Sequence, residues 1–403
     1  MPTILPRLAG PRGYPLLVGV ALLTYVYSHL APTRAHGHSV WGLCLVNFLF
    51  FTGAGAGAIG VGAVLYGLGS KRFRPAARTA ELLAIGCLAL AAFFVVLDLT
   101  PPGRAWDRLR GADSASSLVW DVLGIWIYLG NVVGLGYAAT KTDLLRTVMA
   151  VPPADRLAYL PTAAQAAFAA AKTPSDLRVL RQLMTISLPT ALLLDAIPAW
   201  ILRHLEAGPD RLAALIAALL IVSTPIVSAV LALALLMLVA GFGEMFLRPP
   251  GRDDALRDLG AALLLLLGPL GFSLLAEMEA TQYDTAGSHI LPEMLAGPAA
   301  PLFWFVLVGG VLVPFPLLWR FPTGGTRGIA VAALLVAAAL LTERWNIVIP
   351  PLLGHAHLPY THGGYSPDGP ELLATLTAYA VALLAGPVLG KLFPVREAHD
   401  YPT

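Results

Sequence analysis

Charge is what this chain has least of. Only 12% of its 403 residues are Asp, Glu, Lys or Arg, against about 25% in a typical soluble domain. Too few charges remain to coat a water-facing surface, and 57% of the residues are hydrophobic. That balance excludes a soluble globular enzyme. The net charge is +2, which provides no basic field for nucleic acid. Cysteine is almost missing as well: Cys44 and Cys87 both lie inside apolar runs. Two thiols make no disulfide framework, and this chain alone cannot hold an iron–sulfur cluster, which normally needs four thiolates. No histidine lies in the middle of an apolar run, so the facing axial ligands of a membrane b-haem are lacking too.

What the chain does have is long apolar runs. A hydrocarbon core about 30 Å thick takes about 20 apolar residues per helix. The runs fall at 14–30, 40–67, 79–99, 118–140, 182–202, 212–246, 259–280, 300–319, 328–350 and 372–393. They predict an all-α fold, a polytopic membrane helical bundle of about ten transmembrane helices forming a single integral membrane domain over 1–403. The first run follows Arg7 and Arg12 as a signal peptide would; it is taken as a retained helix because that parity makes the charge pattern consistent. Pro225 is a candidate kink in the long sixth run. The segment 141–181 is too polar to span, and its alanine-rich part, 160–172, suits a helix lying at the surface.

Lysine and arginine sort by side. With ten spans, one side holds the termini and linkers 68–78, 141–181, 247–258 and 320–327, and carries 19 of the 26 basic residues; the other carries 7. The positive-inside rule makes the first side cytoplasmic, with both termini inside. Histidine sorts the other way. His29, His36, His38, His204, His289, His355, His357 and His362 fall at or beyond outer helix ends, and only His399 is inside. An acidic, histidine-rich outer face suits a proton-exchanging mouth or a docking surface; the plain alternative is that only lysine and arginine are selected against there. His355, His357 and His362 have ligand-like spacing, but the glycine-rich loop around them fixes no geometry, and no metal site is assigned.

Ionisable groups at membrane depth are costly and usually functional. Asp98 ends span three, Asp121 begins span four, Asp195 lies in the outer half of span five, Glu277 and Glu279 close span seven, and Glu343 and Arg344 lie in span nine. Glu244, near the inner end of span six, is the main exception to this outer clustering. Asp98 and Asp121 also suit ordinary helix ends, and Asp121 complements the dipole of its helix. Glu343 and Arg344 suit a structural pair, although adjacent residues on a helix point apart and need not meet. Asp195 has no basic neighbour before Arg203; an isolated carboxylate in apolar surroundings is suited to carrying a proton. In span two, Gly53, Gly55, Gly57, Gly60 and Gly62 form a stripe that lets another helix, or a flat ligand, approach the backbone. Asn47 stands near the outer end of that span and could hydrogen-bond a carbonyl.

Several segments resemble the NrfD/polysulfide-reductase membrane-subunit (PsrC-like) family. Trp41-Gly42 with Asn47-Phe-Leu-Phe-Phe-Thr-Gly-Ala-Gly-Ala-Gly57 resembles its second helix. Leu97-Asp-Leu-Thr-Pro-Pro-Gly-Arg-Ala-Trp106 resembles its Asp-Leu-x-Arg-Pro-x-Arg-x-Trp signature, with Thr100-Pro101-Pro102 as a departure. Ser117-Leu-Val-Trp-Asp121 with Tyr128 resembles its Ser-Pro-x-x-Trp start of span four, and Glu343-Arg-Trp-Asn-Ile-Val-Ile349 its Arg-Trp-Asn-x-Val segment. Asp195 stands where several relatives carry histidine, and Pro350-Pro351 replaces a glycine pair.

The resemblance implies a bundle in a bacterial inner membrane that binds a quinone, menaquinone or ubiquinone, and holds no haem or cluster. It implies a four-cluster iron–sulfur partner, joined to a molybdopterin catalytic subunit or to cytochromes. On this reading Asn47, Asp98, Tyr128, Arg344 and Asn346 contact or brace the ring. Asp121 and Asp195 exchange its protons, and Arg104 and Trp106 shape the partner interface. Two other readings stay open: a proton or small-solute transporter, which needs polar groups across the whole depth, and an inert anchor for a redox complex.

Overall fold

The computed structural model describes residues 42–67, 73–98, 211–242, 252–282, 295–297, 300–320, 326–354 and 371–380, with isolated positions between them. Every regular element among the described residues is helical. The helices are α1 (Leu43–Gly67), α2 (Arg74–Asp98), α3 (Arg211–Phe242), α4 (Arg252–Gln282), α5 (Ala300–Trp304), a π-helical stretch (Phe305–Leu312), α6 (Pro314–Arg320) and α7 (Thr326–Gly354). A further helical segment covers 371–380. Spans two, three, six, seven and nine of the sequence reading fall on α1, α2, α3, α4 and α7, and span eight on α5 to α6. Spans one, four and five lie almost wholly outside the described residues.

Four stretches are long and apolar enough to cross a membrane: Leu43–Leu65, Leu256–Ala276, Ala300–Arg320 and Gly328–Ile349. They are not equally enclosed. α1 has 78% of its apolar window buried, against 33% for α4 and for the α5–α6 stretch. α1 is therefore the centre of the described bundle, and α4 to α6 form its rim. The outward side chains of the rim, such as Leu265, Phe272, Leu312 and Trp319, are large, apolar and exposed. A face of that kind suits lipid tails. Tryptophan and phenylalanine sit at both ends of the α5–α6 stretch, as Phe303 with Trp304 and as Phe315 stacked on Trp319. Aromatic belts at membrane interfaces have this arrangement.

The glycine stripe explains why α1 is central. A Cβ on Gly55 would lie 2.8 Å from Leu88 Cγ, and one on Gly62 would lie 3.6 Å from the Ala80 methyl. Phe51 stacks on Phe94 at 6.0 Å. Partners descend along α2 as they ascend along α1, so the two helices are antiparallel. On the other side Gly57 rests against the backbone of α3 at Ser228 and Ala229, so closely that no Cβ would fit. Glycine in a helix costs roughly 1 kcal/mol relative to alanine, and here it permits close packing on both faces. Close helix contact thus explains Gly55 and Gly57, while Gly60 has open space where its side chain would be.

α3 runs through Pro225 and α4 through Pro269 without ending. Neighbouring helices can supply what the missing N–H leaves open. The larger departure from expectation is in span eight, which reads as one uniform helix. Residues 305–312 wind more widely instead, and the Val313 N–H donates to the Val308 carbonyl, five residues back, at 2.8 Å. Pro314 follows at once. In a regular α-helix its ring would press on the carbonyl four residues earlier, that of Gly310, and the wider turn relieves this. The same turn seats Gly310 against α7, where a Cβ would lie 2.7 Å from the Ala339 methyl. α7 also extends through Pro350 and Pro351 to Gly354, beyond the expected end at 350.

Candidate functional site

Buried polar side chains occur along α1 in two places, where its start meets the segment 371–380 and further on where it meets α3 and α7. Asn47, on the second turn of α1, is fully buried. Its Nδ2 donates to the Leu43 carbonyl at 2.8 Å and to Thr375 Oγ1 at 2.9 Å. A backbone carbonyl only accepts, which fixes the amide orientation. Both amide protons are then used, and the buried Oδ1 has no hydrogen-bond partner.

One turn further along the same face stand Phe50 and Phe51, as the helical period requires. One turn beyond Thr375 stands Tyr379. Its ring centre lies 5.8 Å from that of Phe50 and 5.1 Å from that of Phe51. Its hydroxyl is buried without a hydrogen-bond partner. The segment 371–380 is thus fastened to α1 by one polar bridge and one aromatic cluster.

A second polar group lies deeper along α1. Arg344 of α7 reaches Gly53, where a Cβ would lie 3.8 Å from an Arg344 Nη and 3.1 Å from Ser228 Oγ of α3. Gly53 makes room at the junction of α1, α3 and α7. The Arg344 Nε stands 3.4 Å from Glu343 Oε2, with both side chains buried. The adjacent residues meet after all: their long side chains turn toward each other although their Cβ bonds diverge. Asn346, half-buried and two residues on, has an Oδ1 with no hydrogen-bond partner. Chemically, these two places offer open acceptors at Asn47 and Asn346, an open hydroxyl at Tyr379, an ion pair and several aromatic rings. Such a set suits a planar, hydrogen-bonding ligand with an apolar body.

Of the residues singled out from sequence, Asn47 lies at the start of α1 against Thr375, Arg344 reaches α1 further along at Gly53, and Asn346 is half-buried on α7. Asp98 is the last residue of α2, and its side chain is not among those described. Asp121, Tyr128, Asp195, Arg104, Trp106 and Glu244 lie outside the described residues, as does the histidine-bearing stretch 355–362. Sequence reasoning passed over Thr375, Tyr379, Ser228 and Glu81. Glu371, just before the tenth run, and Thr375 and Tyr379 within it recur every fourth residue, a polar stripe that would have marked them. Glu81 belongs to α2 near its start and is buried, a further charge at depth that the sequence reading left uncounted.

Central glycine packing, an apolar rim and buried polar groups among the described residues define a multi-pass helical membrane protein with polar groups inside the bundle. The chain belongs to the polysulphide reductase NrfD family, whose model matches residues 33–354. It is 22% identical over 391 residues to the C-subunit of selenate reductase from Mesobacillus selenatarsenatis, with 91% of this chain and 90% of that protein covered. It is 24% identical over 334 residues to a putative dimethyl sulfoxide reductase membrane C-subunit from Halobacterium salinarum, covering 83% of this chain and 70% of the relative.

Proposed function

We propose that this chain is the quinone-handling membrane subunit of a multi-subunit respiratory reductase. It exchanges electrons between the membrane quinone pool and an iron–sulfur partner at the outer face. The reading includes ten spans with both termini cytoplasmic, in a bacterial inner membrane. Family membership, with relatives named as reductase subunits, is the observation that carries it.

The residues in place fit a quinone. The Asn47 Oδ1 is a buried acceptor held in position by both of its amide protons, and Phe50 and Phe51 offer aromatic edges beside it. A bound quinone supplies two-electron, two-proton chemistry. Asn47 Oδ1 would accept from a ring hydroxyl of the reduced, quinol form, and Arg344, paired with Glu343 and reaching α1 at Gly53, braces the bundle electrostatically. Asp121 and Asp195 take up or return the protons from the outer side, and Asp98 and Tyr128 border the ring. Arg104 and Trp106 meet the iron–sulfur partner. Electron transfer onward belongs to partner subunits, with a molybdopterin enzyme or cytochromes as the terminal carrier.

The test is quinol-linked turnover by the complex isolated from native membranes. Reduction of the terminal acceptor with a menaquinol or ubiquinol analogue as sole donor supports the reading. Turnover with a reduced dye but not with either quinol refutes it. Transport is the second reading, and buried Glu81 is the observation that favours it, because it places a carboxylate at a different depth from the Asn47 junction. Proton or solute flux by the isolated chain in liposomes would support that alternative.

A further inference from the structure

Tyr379 lies beyond residue 354, where the family match ends. Its ring is set among Phe50 and Phe51, and Phe51 in turn stacks on Phe94 of α2. Tyr379 therefore belongs to an aromatic cluster built from α1, α2 and the segment 371–380. A phenylalanine would fill the same place in that cluster. The hydroxyl nevertheless stands buried there with no protein partner. A buried phenolic O–H normally finds an acceptor, and without one it has given up water with nothing in exchange.

Among the described residues, Asn47 Oδ1 on α1 is also without a hydrogen-bond partner, and the two residues are linked. Asn47 is tied to Thr375, and Tyr379 follows Thr375 by about one helical turn, ~6 Å. A buried open acceptor and a buried open hydroxyl thus flank the same aromatic cluster, joined through Thr375. A hydroxyl of the reduced, quinol form can give its proton to the acceptor and accept from the tyrosine O–H, so the pairing suits the quinol.

We propose that Tyr379 is a quinone-binding residue, its hydroxyl donating to a ring oxygen beside Asn47, so that the segment 371–380 forms a wall of the headgroup site. This rests on the quinone-linked reading above. It adds a contact from a part of the chain outside the family match.

The experiment is Tyr379→Phe in the intact complex, with menadiol as the quinol and turnover normalised to that driven by reduced viologen dye. The variant removes one oxygen and keeps the ring, so the aromatic cage is preserved. The expected result is a KM for menadiol raised about tenfold, as loss of one buried hydrogen bond implies, with a smaller change in kcat and normal recovery of the complex. An unchanged KM, with the variant complex melting at a higher temperature, would show that the hydroxyl meets only water and overturn the proposal. Failure of the variant to assemble would also overturn it, because a hydroxyl that waits for a ligand is not needed for folding. If the unmodified complex turns over with dye and not with menadiol, the quinone reading itself fails and takes this proposal with it. That outcome is separate from a defect confined to the variant.

Discussion

Gly57→Ala is the sharpest perturbation of the fold that carries this site. A Cβ at Gly57 would lie 2.9 Å from the Ala229 nitrogen and closer still to the Ser228 carbonyl. Both obstacles are backbone, so no side chain can rotate away. Restoring ordinary contact would part α1 from α3 by at least about 0.5 Å at Ala229 and by more at Ser228. Overpacking of a close-packed interior costs about 1–3 kcal/mol. The upper end applies here, because a whole helix must move and because Gly53, four residues earlier, shares the interface. A loss of about 3 kcal/mol shifts the folding equilibrium by roughly a hundredfold. Gly60→Ala is the matched control: no atom lies within 4 Å of its Cβ position, and alanine favours helix by about 1 kcal/mol. Thermal unfolding of the two variants in one detergent, with recovery of folded protein, provides the comparison. Gly57→Ala should melt well below the parent and Gly60→Ala at or above it. Equal melting temperatures for the two would refute the packing argument.

The Glu343–Arg344 pair gives a second expectation. Arg344→Met strips a buried carboxylate of its neighbouring cation and should cost about 3 kcal/mol, whereas adding Glu343→Gln should recover much of that loss; denaturant melts of the single and double variants measure both. Asn47→Leu removes the bridge to Thr375 and should lower stability by about 1–2 kcal/mol. It should also depress quinol-linked turnover far more than dye-linked turnover, and equal depression of both would remove Asn47 from the quinone site. Asp195→Asn should slow quinol-linked turnover with the complex still assembled, and normal turnover would take Asp195 out of the proton path.

How far the sequence could be read depended on what kind of signal each feature leaves. Long uncharged stretches such as Leu43–Gly67 announce a helix by composition alone, because an apolar run of that length suits a span. Asn47 was legible because one amide stands out among leucine and phenylalanine, and the Arg344–Asn346 pair for a similar reason. The π-helical turn at Phe305–Leu312 was not legible, since apolar runs carry no mark of helix register. Only the Gly309-Gly310 pair ahead of Pro314 hints at it. Partners distant in sequence were also hidden. Nothing near Asn47 points to Thr375, and nothing near Gly57 points to Ser228, because such contacts are set by which helices neighbour each other. Tyr379 was missed through attention to charge: a phenol in an apolar run reads as a packing residue until its hydroxyl is found without a partner.

The central claim, a quinone-linked membrane protein working beside an iron–sulfur protein, is tested most directly by purifying the tagged chain from its own membranes in mild detergent. Mass spectrometry, absorbance spectra and solvent extraction of the purified material are the readouts. The account predicts a cysteine-rich iron–sulfur protein in stoichiometric amount, with quinone in the extract. A solitary chain, free of both and still folded, would contradict it.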